Sequence, residues 1–243
     1  MGDVLLGSII SAMATGLGAI PILLFRVVTH RWRDILLAFT AGIMVSATMF
    51  NLIPVALDHS NLIAVTIGLL IGTTVLSVME RYLPHMDLNH SKRSVAVDSK
   101  SMLIITAITL HNLPEGLSVG VSYASSSESL GPLMALAIGL QNAPEGFLVA
   151  LFLIYQKVNK WVAFLVATLT GAVEIVTSML GYYLTSYVEG LVHYGLAFAA
   201  GAMLFIVYKE LIPESHGDGH EGASTYSFII GILTMIALIE WFG

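Results

Sequence analysis

The sequence contains no cysteine and little charge. Without cysteine the chain can form no disulfide and no thiolate metal site. Only 11% of its 243 residues are Asp, Glu, Lys or Arg, against about 25% in soluble domains, while 56% are hydrophobic and the mean hydropathy is +0.86. A chain of this composition lacks the polar surface that a water-soluble fold needs, so we predict an integral membrane protein in contact with the lipid bilayer.

Long runs of basic residues are missing as well. The ten Lys and Arg residues form no basic surface of the kind that binds nucleic acid, so no nucleic-acid partner is expected. The first apolar run follows no cationic stretch and is long enough to span a bilayer, so no cleavable signal is expected. We expect one transmembrane domain over residues 1–243, located in the cell membrane, or in the inner membrane of a bacterium.

Apolar runs long enough to cross a bilayer recur along the whole chain. A transmembrane helix needs about 20 mostly apolar residues. The sequence therefore predicts an all-α, polytopic, multi-pass membrane protein with eight transmembrane helices. These helices cover about residues 4–25, 35–57, 62–83, 101–124, 131–155, 161–186, 191–212 and 224–242.

The positive charges alternate between the predicted connections. All Lys and Arg residues lie in the odd-numbered connections or near the end of the seventh span. The even-numbered connections hold Asp58, Glu128 and Glu189, with no Lys or Arg. Because cytoplasmic loops of membrane proteins are enriched in Lys and Arg, we predict that the odd connections are cytoplasmic and that both termini face outward.

Two histidine-containing polar clusters lie on the predicted cytoplasmic side, one in the loop 84–100 and one around the end of span seven. Such tracts can bind metal ions, and they can equally be solvated segments that carry charge; both interpretations stay open. Asp58 and His59, at the outer end of span two, are either a loading site for an ion or a polar helix terminus. The two clusters contain His85, Asp87, His90 and Asp98, and Glu210, Glu214, His216, Asp218, His220 and Glu221.

One polar motif occurs twice, in the middle of two consecutive apolar spans. Positions 111–116 read His-Asn-Leu-Pro-Glu-Gly, and positions 141–146 read Gln-Asn-Ala-Pro-Glu-Gly. Side chains four residues apart share a helix face, so the first residue of each hexad lies beside its glutamate. Since consecutive spans are antiparallel and both motifs lie near mid-depth, the two hexads are predicted to face each other.

The proline and the glycine of each hexad are expected to shape its helix. Pro114 and Pro144 cannot donate a backbone hydrogen bond, so we expect them to kink their helices. This would free the carbonyl groups of Leu110 and Leu140. Such irregular backbone is tolerated at bilayer depth where it is buried in protein or lines a cavity. The glycine that ends each hexad is predicted to let another helix or a ligand approach closely.

Carboxylates without a basic partner are costly inside a membrane. Glu115 and Glu145, facing each other, would repel, and one of them would take a proton unless a cation lay between them. Glu174 in span six adds a third such carboxylate. Carboxylate and imidazole groups are normal ligands of zinc and its neighbours. The convergence with His111 favours a metal site over a proton relay, and over isolated polar groups that are satisfied within the protein.

These motifs resemble the ZIP (Zrt/Irt-like) family of divalent metal transporters, and within it the GufA-like branch. The paired hexads are supported by Ala-Gly-Ile-Met at 41–44, by Glu174, and by Glu-Leu-Ile-Pro-Glu-Ser-His at 210–216. The resemblance extends over essentially the whole chain. It implies a bundle of eight spans and a homodimer. We therefore predict import of Zn²⁺ into the cytoplasm by alternating access. Because the candidate ligands include no thiolate, Fe²⁺, Mn²⁺ and Cd²⁺ are further candidate substrates.

The resemblance also implies a centre for two metals between spans four and five. Because Asn142 and Gln141 are neutral where some relatives have a carboxylate or histidine, the second metal is expected to bind weakly or not at all. The first position would use His111, Glu115, Gln141 and Glu145, with Met44 as a further ligand. The second position would use Asn112, Asn142 and Glu174, with the two hexad glutamates bridging.

Two other functions fit parts of the sequence. An intramembrane metal-dependent hydrolase would also use two bridged metals, which can activate water. The sequence, however, has no His-Glu-x-x-His helix and no general base beyond the metal ligands. A proton-coupled transporter of a small organic solute would fit the buried carboxylates but not the duplicated amide-rich pairs. We therefore predict a transporter rather than an enzyme, with the metal ion as its substrate.

Overall fold

Long helices dominate the described structure. The computed structural model describes residues 2–24, 29–58, 60–82, 97–188, 190–216 and 219–242, with backbone alone for residues 82 and 97–104. Within these ranges all regular structure is helical, which confirms the predicted all-α fold. The helices are α1 (Gly2–Ala19), α2 (Pro21–Leu24), α3 (His30–Ala47), α4 (Ile53–Asp58), α5 (Leu62–Tyr82), α6 (Val97–Ala124), α7 (Leu130–Tyr155), α8 (Lys160–Tyr187), α9 (Leu191–Ile206), α10 (Ile212–Glu214) and α11 (Glu221–Phe242).

Seven helical segments in the described ranges are long and apolar enough to cross a membrane, and they correspond to seven of the eight predicted spans. The remaining predicted span, 101–124, lies within α6, a helix of 28 residues that carries the first hexad. The total of eight spans and the outward termini stay predictions. The seven segments are Gly2–Leu24, His30–Asp58, Leu62–Arg81, Leu130–Tyr155, Lys160–Tyr187, Leu191–Glu214 and Glu221–Phe242.

The polar loop predicted at 84–100 ends earlier than expected. Helix α6 begins at Val97, so Asp98 and Lys100 belong to its first turn rather than to the loop. Polar residues can extend a transmembrane helix beyond the bilayer, and composition alone does not mark that boundary. Residues 84–96 lie outside the described residues, as do His59, Asp218 and Glu189. The interpretation of the loop therefore stays a prediction.

Two of the spans contain a π-helical turn just before a proline. Thr48–Leu52 forms one such turn ahead of Pro54, and Val207–Leu211 forms the other ahead of Pro213. Each turn is closed by a hydrogen bond over five residues, donated by the residue before the proline. Because a proline ring crowds the carbonyl group four residues earlier, the wider turn lets the helix continue past it.

The hexad prolines do not change the helix type. Pro114 lies inside α6 and Pro144 inside α7, and both helices continue as α-helices on either side. Each proline lacks the backbone N–H that would bond the preceding turn. The kinks predicted at these positions are therefore not accompanied by a break in either helix.

The long helices pack as two groups. In the hexad group, α6 packs along α8, α1 packs along α7 and α8, and α6 also contacts α7. In the second group, α3 packs along α11, and α5 packs along α9. The groups meet where α6 contacts α9 and where α3 contacts α7. Both hexads thus lie on helices that belong to one group and reach the boundary with the other.

The glycines that end the hexads lie against neighbouring helices. A Cβ atom at Gly116 would overlap Thr177 and the backbone of Glu174 on α8. One at Gly146 would overlap the carbonyl oxygen of Thr15 on α1. The predicted close approach is confirmed, and in each case the neighbour is another helix of the hexad group.

Replacing Gly146 by alanine should destabilise the protein. The added methyl group has no space beside the Thr15 backbone, and overpacking costs about 1–3 kcal/mol of unfolding free energy. We expect a lower melting temperature for the detergent-purified variant. The matched control is Gly139→Ala in the same helix, where the atom nearest to an added Cβ, Ser11 Cα, lies at 3.4 Å. Equal melting temperatures for the two variants would contradict the packing described.

Candidate metal site

The two hexads meet through a hydrogen bond between their side chains. Glu115 on α6 and Gln141 on α7 are both fully buried. The Gln141 Nε2 atom donates to Glu115 Oε1 over 2.7 Å. The prediction that the hexads face each other is therefore confirmed.

One oxygen of each of these two side chains lacks a hydrogen-bond donor. Glu115 Oε2 and Gln141 Oε1 are buried and have no hydrogen-bond partner among the described residues. Buried polar atoms are nearly always hydrogen-bonded, and an unpaired one costs about 1–3 kcal/mol. Two unpaired acceptors on hydrogen-bonded neighbours are a place where a bound cation would be stabilised.

Negative charge accumulates around this pair. Glu115 interacts electrostatically with Glu145 and Glu174, and Glu145 also interacts with His111. Glu174 is buried and Glu145 is partly buried. Like charges in a low-dielectric interior repel strongly unless cations or protons neutralise them. The carboxylates at the hexads therefore need a cation or protons to neutralise them.

His111 contacts a glutamate from the polar cluster at the end of span seven. Its Nε2 atom lies 2.7 Å from Oε2 of Glu210, in the π-helical turn after α9. The two form an ion pair when the imidazole is protonated. The sequence placed Glu210 in the polar cluster at the end of span seven and did not predict its contact with a hexad. A signal was present, because Glu210 lies inside the predicted span 191–212, and an ionisable residue within a span is a candidate site residue.

The two histidines of that cluster make separate contacts. His216 Nδ1 lies 3.0 Å from the Ser215 hydroxyl and 3.1 Å from the Ile212 carbonyl oxygen, within its own turn. His220 Nδ1 lies 3.4 Å from Oδ2 of Asp34, at the start of α3. These residues are therefore distributed over different partners rather than gathered around one point.

Glu174 is held by donors from two other helices. Asn142 Nδ2 on α7 lies 2.8 and 2.9 Å from the two Glu174 carboxylate oxygens. The Ser11 hydroxyl on α1 donates to Glu174 Oε2 over 2.8 Å. Because both oxygens have donors, this carboxylate can stay buried without a cation. Sequence reasoning missed Ser11, since a lone serine among apolar residues of a span is ordinarily a packing residue.

Asn112 and Met44, two further predicted ligands, have other surroundings. Asn112 Nδ2 donates to the Thr170 carbonyl oxygen over 2.7 Å and so joins α6 to α8. Met44 is fully buried on α3, a helix of the second group that contacts α7. In the described ranges, no group of three or more His, Cys, Asp or Glu side chains is positioned to hold a metal ion. The hexad residues and Glu174 are thus close together, but their side chains bond to neighbours instead of surrounding one point.

Comparison with known proteins shows which family the chain resembles. The chain matches the model of a family described as ZIP zinc transporter over residues 83–239. It is 35% identical to the zinc transporter GufA of Myxococcus xanthus over 98% of both chains. It is 33% identical to the zinc transporter ZIPB of Bordetella bronchiseptica, over 98% of this chain and 81% of the relative. These matches agree with the paired hexads and the all-helical bundle, and the chain belongs to the ZIP family of zinc transporters.

Proposed function

We propose that this protein carries Zn²⁺ across the membrane into the cytoplasm and binds it between the two hexads. The observation that carries the proposal is the pair of buried, unpaired oxygens, Glu115 Oε2 and Gln141 Oε1. The relatives support the proposal because they are named as zinc transporters. The hydrolase alternative has no such support, since the family consists of transporters and not of enzymes.

The proposed transport site uses side chains of both hexads. Glu115 and Glu145 supply negative charge, and Gln141 supplies its free carbonyl oxygen. His111 supplies an imidazole nitrogen once it turns away from Glu210. Four nitrogen and oxygen ligands are the usual set for zinc, and Met44 is a candidate fifth ligand from the second group. Because this set contains no thiolate, Fe²⁺, Mn²⁺ and Cd²⁺ are proposed as further substrates.

The second metal position has a smaller part in this proposal. A cation beside Glu174 would have to displace the Asn142 amide from both carboxylate oxygens. The amide nitrogen of Asn112 is likewise engaged, with the Thr170 carbonyl group. We infer that the protein works with one zinc ion in the first position and that Glu174 mainly joins α1, α7 and α8.

Alternating access is supported by the way the two helix groups meet. Both hexads belong to the hexad group, whereas Glu210 extends from α9 in the second group. The contact between His111 and Glu210 therefore crosses the boundary between the groups. A shift of one group against the other would make or break it, so we infer that zinc leaves the hexads towards Glu210.

The membrane and the assembly state remain predictions. The cell membrane is the expected location, and a homodimer is what the resemblance implies. Both are consistent with a multi-pass fold but need separate measurement, by membrane fractionation and by the mass of the detergent-solubilised particle.

Zinc uptake into proteoliposomes tests the proposed function. We expect saturable uptake by the reconstituted protein, measured with an internal zinc indicator, and none in protein-free liposomes. Cadmium added outside should compete. The same preparation is assayed for metal-dependent cleavage of lipid or peptide and for metal-independent flux of organic solutes. Folded protein that shows either of these activities and no zinc uptake would overturn the proposal.

A further inference from the structure

A lysine and a glutamate form an ion pair next to Glu210. Lys209 Nζ contacts Glu80 Oε1 and so joins the π-helical turn after α9 to the last turn of α5. The Glu80 side chain is only 8% exposed, whereas that of Lys209 is 50% exposed. The ammonium group also lies 5.5 Å from the centre of the Phe205 ring, within cation–π range. Because a buried carboxylate that loses its cation is strongly destabilised, this contact holds Lys209 in place.

Lys209 and Glu210 are consecutive residues that contact different helices. Lys209 reaches α5, within the second group, while Glu210 reaches His111 on α6, across the boundary. Both residues lie in the π-helical turn Val207–Leu211, so an ion pair that holds this turn through Lys209 also limits the directions open to the adjacent Glu210 side chain. The constraint matters here because a π-helical turn departs from the regular α-helical spacing.

We propose that Glu80 and Lys209 are a positioning pair that directs the Glu210 carboxylate at His111 and thereby sets the rate of zinc passage from the hexads. The inference rests on the proposed function. The pair contacts neither hexad and acts through Glu210, the partner of His111. Its removal should therefore lower the maximal uptake rate without weakening equilibrium zinc binding at the hexads, because His111 then has one competing partner fewer.

Zinc uptake by proteoliposomes and zinc binding in detergent are compared for Glu80→Gln, Lys209→Met and Lys209→Arg. For the first two variants we expect a maximal rate roughly tenfold lower. Residues that do not contact a ligand can change the coupling between sites by an amount of this order. Their zinc dissociation constants should be no higher than the wild-type value, because Glu210 then competes less for His111. Lys209→Arg keeps the positive charge and should retain most of the wild-type rate. The matched control is Lys160→Met, which removes an ammonium group that donates instead to the Leu23 carbonyl oxygen over 2.9 Å.

A double variant separates positioning from a general loss of structure. If Glu80 acts through Glu210, then Glu80→Gln combined with Glu210→Gln should be no slower than Glu210→Gln alone. If the reductions in rate caused by Glu80→Gln and Glu210→Gln multiply in the double variant, the proposed positioning role is wrong. It is also wrong if Glu80→Gln and Lys209→Met both take up zinc at the wild-type rate. A lower melting temperature with an unchanged maximal rate would overturn it as well. If wild-type protein failed to take up zinc, the proposed function itself would fall, and this inference with it.

Discussion

Replacing both hexad glutamates, by Glu115→Ala with Glu145→Ala, should abolish saturable zinc uptake into proteoliposomes. The proposed site would then keep only the uncharged donors of His111 and Gln141. A hydrogen bond to a charged group contributes about 1.5–3 kcal/mol, and we take the contribution of each carboxylate to zinc binding to be at least this large. Losing both carboxylates then lowers the zinc affinity by at least about 100-fold. At zinc concentrations near the wild-type KM, uptake should fall to the level of protein-free liposomes.

The matched control for this double variant is Glu128→Ala with Glu240→Ala. It removes two glutamates that are exposed in the structure and should leave uptake unchanged. Zinc should raise the melting temperature of the wild type and of the control, because a ligand that binds only the folded state stabilises it. The hexad double variant should lose that rise. Wild-type uptake by the hexad double variant would mean that zinc crosses the protein elsewhere.

The second large effect is expected from Asn142→Asp, which exchanges the donor beside Glu174 for another carboxylate. The hydrogen bonds of 2.8 and 2.9 Å to the Glu174 oxygens would be lost, and two buried negative groups would face each other. Removing the donor to a buried charged group costs about 1–3 kcal/mol or more, and an added carboxylate beside Glu174 destabilises the folded state further. The metal-free variant should therefore melt well below the wild type. Zinc should restore its stability, since a cation between two carboxylates takes the place of the amide, and the bound zinc should rise by one ion per chain.

Melting curves with and without zinc, together with the zinc content after gel filtration, measure both parts of this prediction. Ser11→Ala is the matched control, because it removes the third donor to Glu174 without adding a charge. We expect it to lose a little stability and to bind the same amount of zinc as the wild type. If Asn142→Asp were as stable as the wild type without zinc and bound no more of it, our assignment of Asn142 would be wrong.

The meeting of the hexads could be predicted from the sequence because it depends only on spacing and depth. A spacing of four residues places the first residue and the glutamate of a hexad on one helix face. Two motifs at mid-depth in consecutive spans then come together whichever way each helix runs. The bond between Gln141 and Glu115 is the result.

The contacts of Glu210 and Glu174 depend on features that spacing does not reveal. A π-helical turn ends at Leu211 and changes the direction of side chains relative to an α-helical count, so the face taken by Glu210 could not be counted from the sequence. Glu174 is bonded from α1 as well as from α7. Nothing in the sequence of span one marks Ser11 as the partner of a residue in span six.

A carrier returns empty after each delivery, and its carboxylates then need another partner. In this protein the amide of Gln141 provides one, because its N–H group donates to Glu115. An ion at the proposed site would displace this internal donor, and its net affinity would be lower than at a site built from bare carboxylates. Permeation requires binding that is strong enough for entry and weak enough for exit. In the proposed site, glutamine at this position would therefore favour fast unloading over tight retention, whereas a glutamate there would hold the ion for longer.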